Sequence, residues 1–298
     1  MLTQFFGNYL LEKHIVDSKQ LLEALRYKHN NYETLDAIAL SSGYMTKEES
    51  DDVHNMQTQM DGDFVEIAFH MGYLTEEQAK ELAEIVHYGY LLLGNAIIEL
   101  GYCTQEDMAR IVADYEFDFQ LSFSSFLNFD KEKIDDMVMT FYHIPDTQEF
   151  NPQREYITLL VKNILRFIGD DFRFSPTLTT LPDIPDMREV RQNILGSFHI
   201  STYIIGYKDF MDSFASRYAC EALTEKEEEE YITAALEDFL NLNNGIFTVN
   251  MSNDYNEELE LSAPEFLHTI SEDTRIKQMY IIPIEFSFGT IYFCFSKN

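Results

Sequence analysis

The feature that most constrains this chain is a repeat of fixed length near its N-terminus. The segments KHIVDSKQ, SGYMTKEE, MGYLTEEQ and LGYCTQED place His14, Gly43, Gly72 and Gly101 in register at a constant spacing of 29 residues. Each unit has small or apolar residues ahead of that position (Tyr9–Leu10, Ile38–Ala39, Ile67–Ala68, Ala96–Ile97). Each then has a Thr or Asp (Asp17, Thr46, Thr75, Thr104), with Gln20, Glu49, Gln78 or Asp107 three residues on. This is the signature of a helix closed by a left-handed cap, a short turn, and a new helix opened by a capping box or an acidic variant of one. Residues 1–115 therefore read as an all-α array of helical hairpins. Units of this size cannot bury an apolar face alone and must pack on one another.

Charge narrows the partners. The chain carries 21 Lys and Arg against 52 Asp and Glu, a formal charge of −31. Residues 1–115 hold 7 basic and 20 acidic side chains, so both halves are acidic. Binding to nucleic acid or an anionic membrane draws on Lys and Arg displacing counterions, so neither is an expected partner. Hydrophobic content of 45%, with 24 Phe and 18 Tyr, is enough to fill globular cores. Cys103, Cys220 and Cys294 are far apart, form no CxxC pair and have apolar neighbours, and are expected to be buried thiols in a reducing compartment. MLTQFFGNYLLEKH lacks the marks of a signal peptide and no apolar run is long enough to span a bilayer, so a cytoplasmic location is expected. The eight histidines show no ligand spacing, and no metal site or cofactor of the chain's own is expected.

Residues 116–150 hold an aromatic stretch, FDFQLSFSSFLNF, and a short helical pattern, DKEKIDDMVMTFYHI, and read as a bridge and linker. From 151 to 298 the pattern becomes α+β. EYITLLVKNILRFI (155–168) and KDFMDSFASRYACEAL (208–223) have helical periodicity, and ILGSFHISTYIIGY (194–207) has strand composition. MYIIPIEFSFGT and IYFCFSKN read as two strands joined around Gly289. One sheet backed by helices is the economical arrangement, which makes the whole chain α+β. A further helix is expected from Glu227 to Leu242, with Ile232, Ala235, Leu236, Phe239 and Leu242 on its core side. Asn241 falls nearly opposite, with Ala234 and Glu237 beside it and Asp238 on the adjoining flank. Read by composition alone, the run from Asn241 to Gly245 is also an ordinary helix C-terminus.

Two resemblances rest on these residues. In the C-terminal half, Asp238, two residues, Asn241, then 22 residues and Pro264, with Gly245 four past the Asn, resemble the motif of CheC/CheX-type chemotaxis phosphatases, including the flagellar switch phosphatases. The resemblance covers roughly 151–298 and implies a CheX-like domain that hydrolyses the aspartyl phosphate of a response-regulator receiver. It implies that Asn241 positions the attacking water and Asp238 pairs with the receiver's active-site Lys. Glu237, Ala234 and Pro264 would line the docking surface, and the receiver would supply the Mg²⁺. Two positions depart from the family pattern: the acid is usually Glu, and the residue four before it is usually Asp or Ser where this chain has Ala234. A non-catalytic module that binds a receiver, or a pilus or secretion signalling protein, is the alternative, and a homodimer is left open.

The repeats resemble the N-terminal (MshEN-like) domain of type II secretion and pilus assembly ATPases, with Phe6–Gly7, Leu21 and Leu25 at matching places. That family includes binders of cyclic di-GMP. Here its Arg place holds Phe5, Thr34, Asp63 and Leu92, and its final Gln place holds Lys28, Gln57, Val86 and Tyr115. Without an arginine to pair with phosphate or stack on guanine, cyclic di-GMP is not expected as a ligand.

Overall fold

The computed structural model describes residues 2–87, 89–118, 138–142, 152–183, 185–219 and 228–297. Most of the aromatic bridge and Cys220 lie outside them. The chain divides into two compact units, residues 1–137 with 170–173, and residues 138–169 with 174–298. Residues 138–142 fall in the second unit and 170–173 in the first, while most of the expected 116–150 linker lies outside the described residues.

The described residues of the first unit include four helical hairpins: α1 (Leu2–Glu12) with α2 (Ser18–Asn31), α3 (Leu35–Ser41) with α4 (Lys47–Gln57), α5 (Phe64–His70) with α6 (Glu76–His87), and α7 (Gly89–Glu99) with α8 (Gln105–Asp118). The left-handed caps fall where the repeat puts them, at φ 55° for His14, 70° for Gly43, 78° for Gly72 and 77° for Gly101. After each, the next residue donates to the carbonyl five residues back, as Tyr44 does to Ala39 at 2.9 Å. Asp17–Gln20 and Thr46–Glu49 are reciprocal capping boxes. Thr75–Gln78 repeats the pattern, and at Thr104 the partner is Asp107.

The hairpins do not stack in sequence order. α7 packs on α1 and α2, whereas α3 to α6 pack among themselves around Val53, Ile67 and Leu82. The outer pair is fixed by aromatic residues: Phe6 meets Tyr115 with ring centroids 4.9 Å apart and Tyr90 at 5.6 Å, and all three are buried. Several of the repeat positions compared above have structural roles. Thr34 and Asp63 are the N-cap residues of α3 and α5, and Tyr115 belongs to the aromatic core. Lys28 is buried against the carboxylate of Asp170, which His29 also meets at 3.3 Å. Burial works to raise the Asp170 pKa, but His29 and Lys28 overcome it and hold the carboxyl well below its usual range.

The described residues of the second unit form α9 (Pro152–Phe167), the last residue of β1 (Phe172–Phe174), β2 (Met187–Gly196), β3 (Ile200–Tyr207), α10 (Lys208–Ala219), α11 (Glu228–Tyr255), β4 (Leu259–Leu261), β5 (Glu265–Leu267), α12 (Glu272–Ile276), β6 (Tyr280–Phe286) and β7 (Gly289–Lys297). The strands form a seven-stranded sheet in the order β1-β6-β7-β3-β2-β4, with β5 also pairing with β2. Pairing is antiparallel between β2 and β3, β4 and β5, between β3 and β7, and between β6 and β7. The chain is thus α+β, with one unit a sheet backed by helices and the other an all-α repeat array. Residues 194–207, expected as one strand, are instead the end of β2, a turn, and β3. β2 begins at Met187, upstream of any clear strand pattern in the sequence. The β6–β7 hairpin turns at Gly289, with φ 144°, where an added Cβ would lie 2.3 Å from the Phe210 ring. Phe214 of α10 joins helices to sheet, with centroids 4.9 Å from Phe239 and 6.0 Å from Phe293. Of the expected buried thiols, Cys294 is buried and Cys103 is only half-buried.

Candidate functional site

α11 is longer than its sequence pattern announces. It runs 28 residues, straight through the Asn-Leu-Asn-Asn-Gly segment that could have ended it. The reason lies in what covers that segment. Asn243 and Asn244 are fully buried, Asn243 accepts from Asn163 of α9 at 3.0 Å, and Asn244 accepts the Tyr156 hydroxyl at 2.9 Å. Both side chains are engaged by α9, and Asn244 also by Gln192 and Thr202 of the sheet, so neither is free to turn the chain out of the helix here.

Ile232, Ala235, Leu236 and Phe239 form the buried stripe as expected. Leu242, also expected there, is half-buried, and Leu240 is buried instead. Several elements cover α11: α10 lies along it, β2 and β5 lie beneath it, and α9 joins beyond Leu240. The remaining face is open, with Ala234, Asp238 and Asn241 exposed and Glu237 and Gly245 half-buried.

Asp238, Glu237 and Asn241 on this face each have a partner within the chain. Asp238 accepts the hydroxyl of Tyr218, on α10, at 2.7 Å. Burial first, and then Asp238, push the Tyr218 phenol far above its usual range. Burial raises the Glu237 carboxyl, partly offset by the backbone N–H of Phe266 on β5. Asn241 accepts at Oδ1 from Gln192 Nε2, on β2, at 2.8 Å. The same Nε2 donates to the main-chain oxygen of Ser262 at 2.8 Å. Pro264 is half-buried, two residues beyond Ser262 in the β4–β5 link, so its segment is joined to Asn241 through Gln192.

The structure thus sets Ala234, Glu237, Asp238, Asn241 and Gly245 along one helix face, with Pro264 on the adjoining strand link. Tyr218, Gln192 and Ser262 were not foreseen from sequence. The one available signal was Gln192 standing between Val190 and Ile194 at alternate positions of a strand, a polar residue on an apolar face. Gly245 has a further property: a Cβ placed there would meet nothing within 4 Å. No packing within the described residues requires glycine at that point in mid-helix.

Among the described residues, no group of three or more His, Cys, Asp and Glu side chains could hold a metal ion. No described helix is long and apolar enough to cross a membrane.

No family model matches the chain, and no curated protein matches it. Solved structures do resemble its C-terminal half. One is the CheX–CheY–BeF3–Mg²⁺ complex of Borrelia burgdorferi, 15% identical over 50% of this chain and 98% of that one, with a TM-score of 0.44. A CheC-like superfamily protein of Shewanella sp. PV-4 is 17% identical over 50% and 99%, at 0.40. The chemotaxis protein CheX of Desulfovibrio desulfuricans is 11% identical over 50% and 100%, at 0.40. All three are distant likenesses, none extends to the repeats, and the resemblance of the repeats to ATPase N-terminal domains finds no support among them.

Proposed function

We propose that the second unit hydrolyses the aspartyl phosphate of a response-regulator receiver domain, as part of cytoplasmic chemotaxis-type signalling. A single observation carries this reading. Asn241 is exposed one helical turn beyond exposed Asp238, on an open face, with its carboxamide oxygen held from behind.

The chemistry asks for little more. Hydrolysis of an aspartyl phosphate is an in-line displacement by water. The receiver itself contributes the Mg²⁺ and the Lys that neutralise developing charge. What a partner can add is a group that confines the water to the attack line. A carboxamide does so without titrating, because it donates and accepts at any working pH. Asn241 has that role in this reading. Asp238 pairs with the receiver's Lys and sets the angle at which α11 docks. Ala234 and Gly245, which lack long side chains, let the receiver surface approach the helix. Pro264 and Glu237 border that contact.

A receiver preloaded with phosphate tests the reading, by following the decay of the phosphoryl group with wild type and with Asn241→Ala. Positioning of this kind accounts for about 10²–10³ in rate, so the variant should lose nearly all acceleration. Equal decay with both proteins would overturn the phosphatase reading. A second reading, a receiver-binding module without catalysis, is favoured by the engagement of Asp238 with Tyr218, which turns the acid toward its own chain. It predicts binding of the receiver with no change in decay.

A further inference from the structure

Behind Asn241 lies a chain of hydrogen bonds whose direction is not free to reverse. It begins at two main-chain carbonyls, which can only accept. Thr202 Oγ1 donates its one proton to the main-chain oxygen of Gln192 at 3.0 Å. That hydroxyl must therefore accept from Asn244 Nδ2, at 2.8 Å. Asn244 Nδ2 gives its other proton to Gln192 Oε1, also at 2.8 Å, and Asn244 Oδ1 takes the proton of Tyr156. On the far side, the Ser262 carbonyl takes one proton of Gln192 Nε2. The second proton of that NH2 goes to Asn241 Oδ1. Turning the Gln192 amide over would set its oxygen against the Ser262 carbonyl and its NH2 against that of Asn244. Gln192, Thr202 and Asn244 are all buried, so water cannot relieve either clash.

We infer that Gln192 is a positioning residue, which fixes the Asn241 carboxamide with its oxygen inward and its NH2 presented to the docking partner. Nδ2 donates to no described group of this chain, which leaves two protons for a phosphoryl oxygen or for the lone pair of an attacking water. One lone pair of Oδ1 also remains to accept from that water. An exposed asparagine without such a tether would sample both amide orientations and several rotamers, and the reacting water would have to await the right one. Gln192 touches no partner itself and acts only through Asn241. Its consequence for rate rests on the phosphatase reading, but the orientation it imposes does not.

The test therefore has two arms. In the full-length protein labelled at asparagine side-chain nitrogen, the Asn241 NH2 signal is identified by its loss in Asn241→Ala. Its order parameter is then measured in wild type and in Gln192→Met, a variant of similar length with no donor. Wild type should show an ordered amide, above about 0.6, and Gln192→Met a mobile one. In the second arm, the decay of a phosphorylated receiver is followed across receiver concentrations. Gln192→Met should lower the saturated rate per folded molecule about 10-fold with little change in KM, the folded fraction being counted from each protein's unfolding curve, since loss of folded protein alone would also lower the total rate.

A mobile Asn241 amide in wild type, or one equally ordered in Gln192→Met, overturns the inference. An unchanged saturated rate beside an active wild type does so too. Should wild type fail to speed decay, the phosphatase reading falls alone, and the order parameters still decide the orientation. If Gln192→Met does not fold, Gln192→Asn keeps the polarity, cannot span the gap, and is held to the same expectations.

Discussion

At Asp238 the carboxylate already has a partner, since Tyr218 donates to it at 2.7 Å. Pairing with a receiver lysine means either sharing the carboxylate or giving that bond up, and the side chain is one methylene shorter than a glutamate. Tyr218 also packs by its ring against Phe239, at 5.5 Å, so removing only the hydroxyl leaves the aromatic contact in place. Tyr218→Phe should therefore cost about 1 kcal/mol of stability, read by denaturant unfolding, while freeing the carboxylate. If Asp238 is the docking acid, the variant binds a receiver at least as tightly as wild type in a titration. Weaker binding would mean instead that Tyr218 holds the acid in its productive position. Neither tether could be read from sequence, because Tyr218 and Gln192 lie 20 and 49 residues from the side chains they hold.

Helix α11 carries both residues, and its continuity is what puts them on one straight face. Gly245 interrupts an otherwise well-formed helix interior at a cost, since glycine is about 1 kcal/mol worse than alanine there. Nothing among the described residues occupies the space beyond it. Gly245→Ala is thus expected to raise stability by about 0.5–1 kcal/mol in thermal or denaturant unfolding. In the proposed function the same methyl group intrudes on the docking surface, and receiver binding should weaken in a titration. Stabilisation with unchanged binding would place the contact elsewhere on the helix. The 3.6-residue period predicted the open flank correctly at Ala234, Asp238 and Asn241. It failed at Leu240 and Leu242, because the covering elements α9 and α10 set a burial pattern that no single stripe describes.

Across the whole molecule the acidic excess gives a formal charge of −31, and a few ion pairs gain weight from being partly buried. His54 faces Asp36 at 3.7 Å, and the pairing of the two side chains holds the Asp36 carboxyl well below its usual range and raises the His54 imidazole. Asp170 is likewise lowered. A lowered carboxyl contributes stability above its unfolded value, near about 3.9, and loses that contribution as pH falls through its folded value. A raised histidine contributes fully below about 6.5 and loses its share as pH rises through its folded value. These pairs should together favour the folded state most between about pH 4 and 6.5, as thermal unfolding across pH would report. Asp36→Asn should remove the fall attributable to His54 on the alkaline side of that window. The sequence by itself determined the helical hairpins, because a left-handed cap and a residue bonding three positions on are local interactions written within eight letters. It also determined the spacing of Asp238 and Asn241, because one helical turn fixes it. Only the tertiary structure decided that the first hairpin packs with the fourth, since that choice depends on aromatic surfaces more than eighty residues apart, Phe6 with Tyr90 and Tyr115. It alone decided which way Asn241 faces, because the Ser262 carbonyl that orients Gln192 lies 70 residues along the chain and meets it only once β2 and the β4–β5 link are paired.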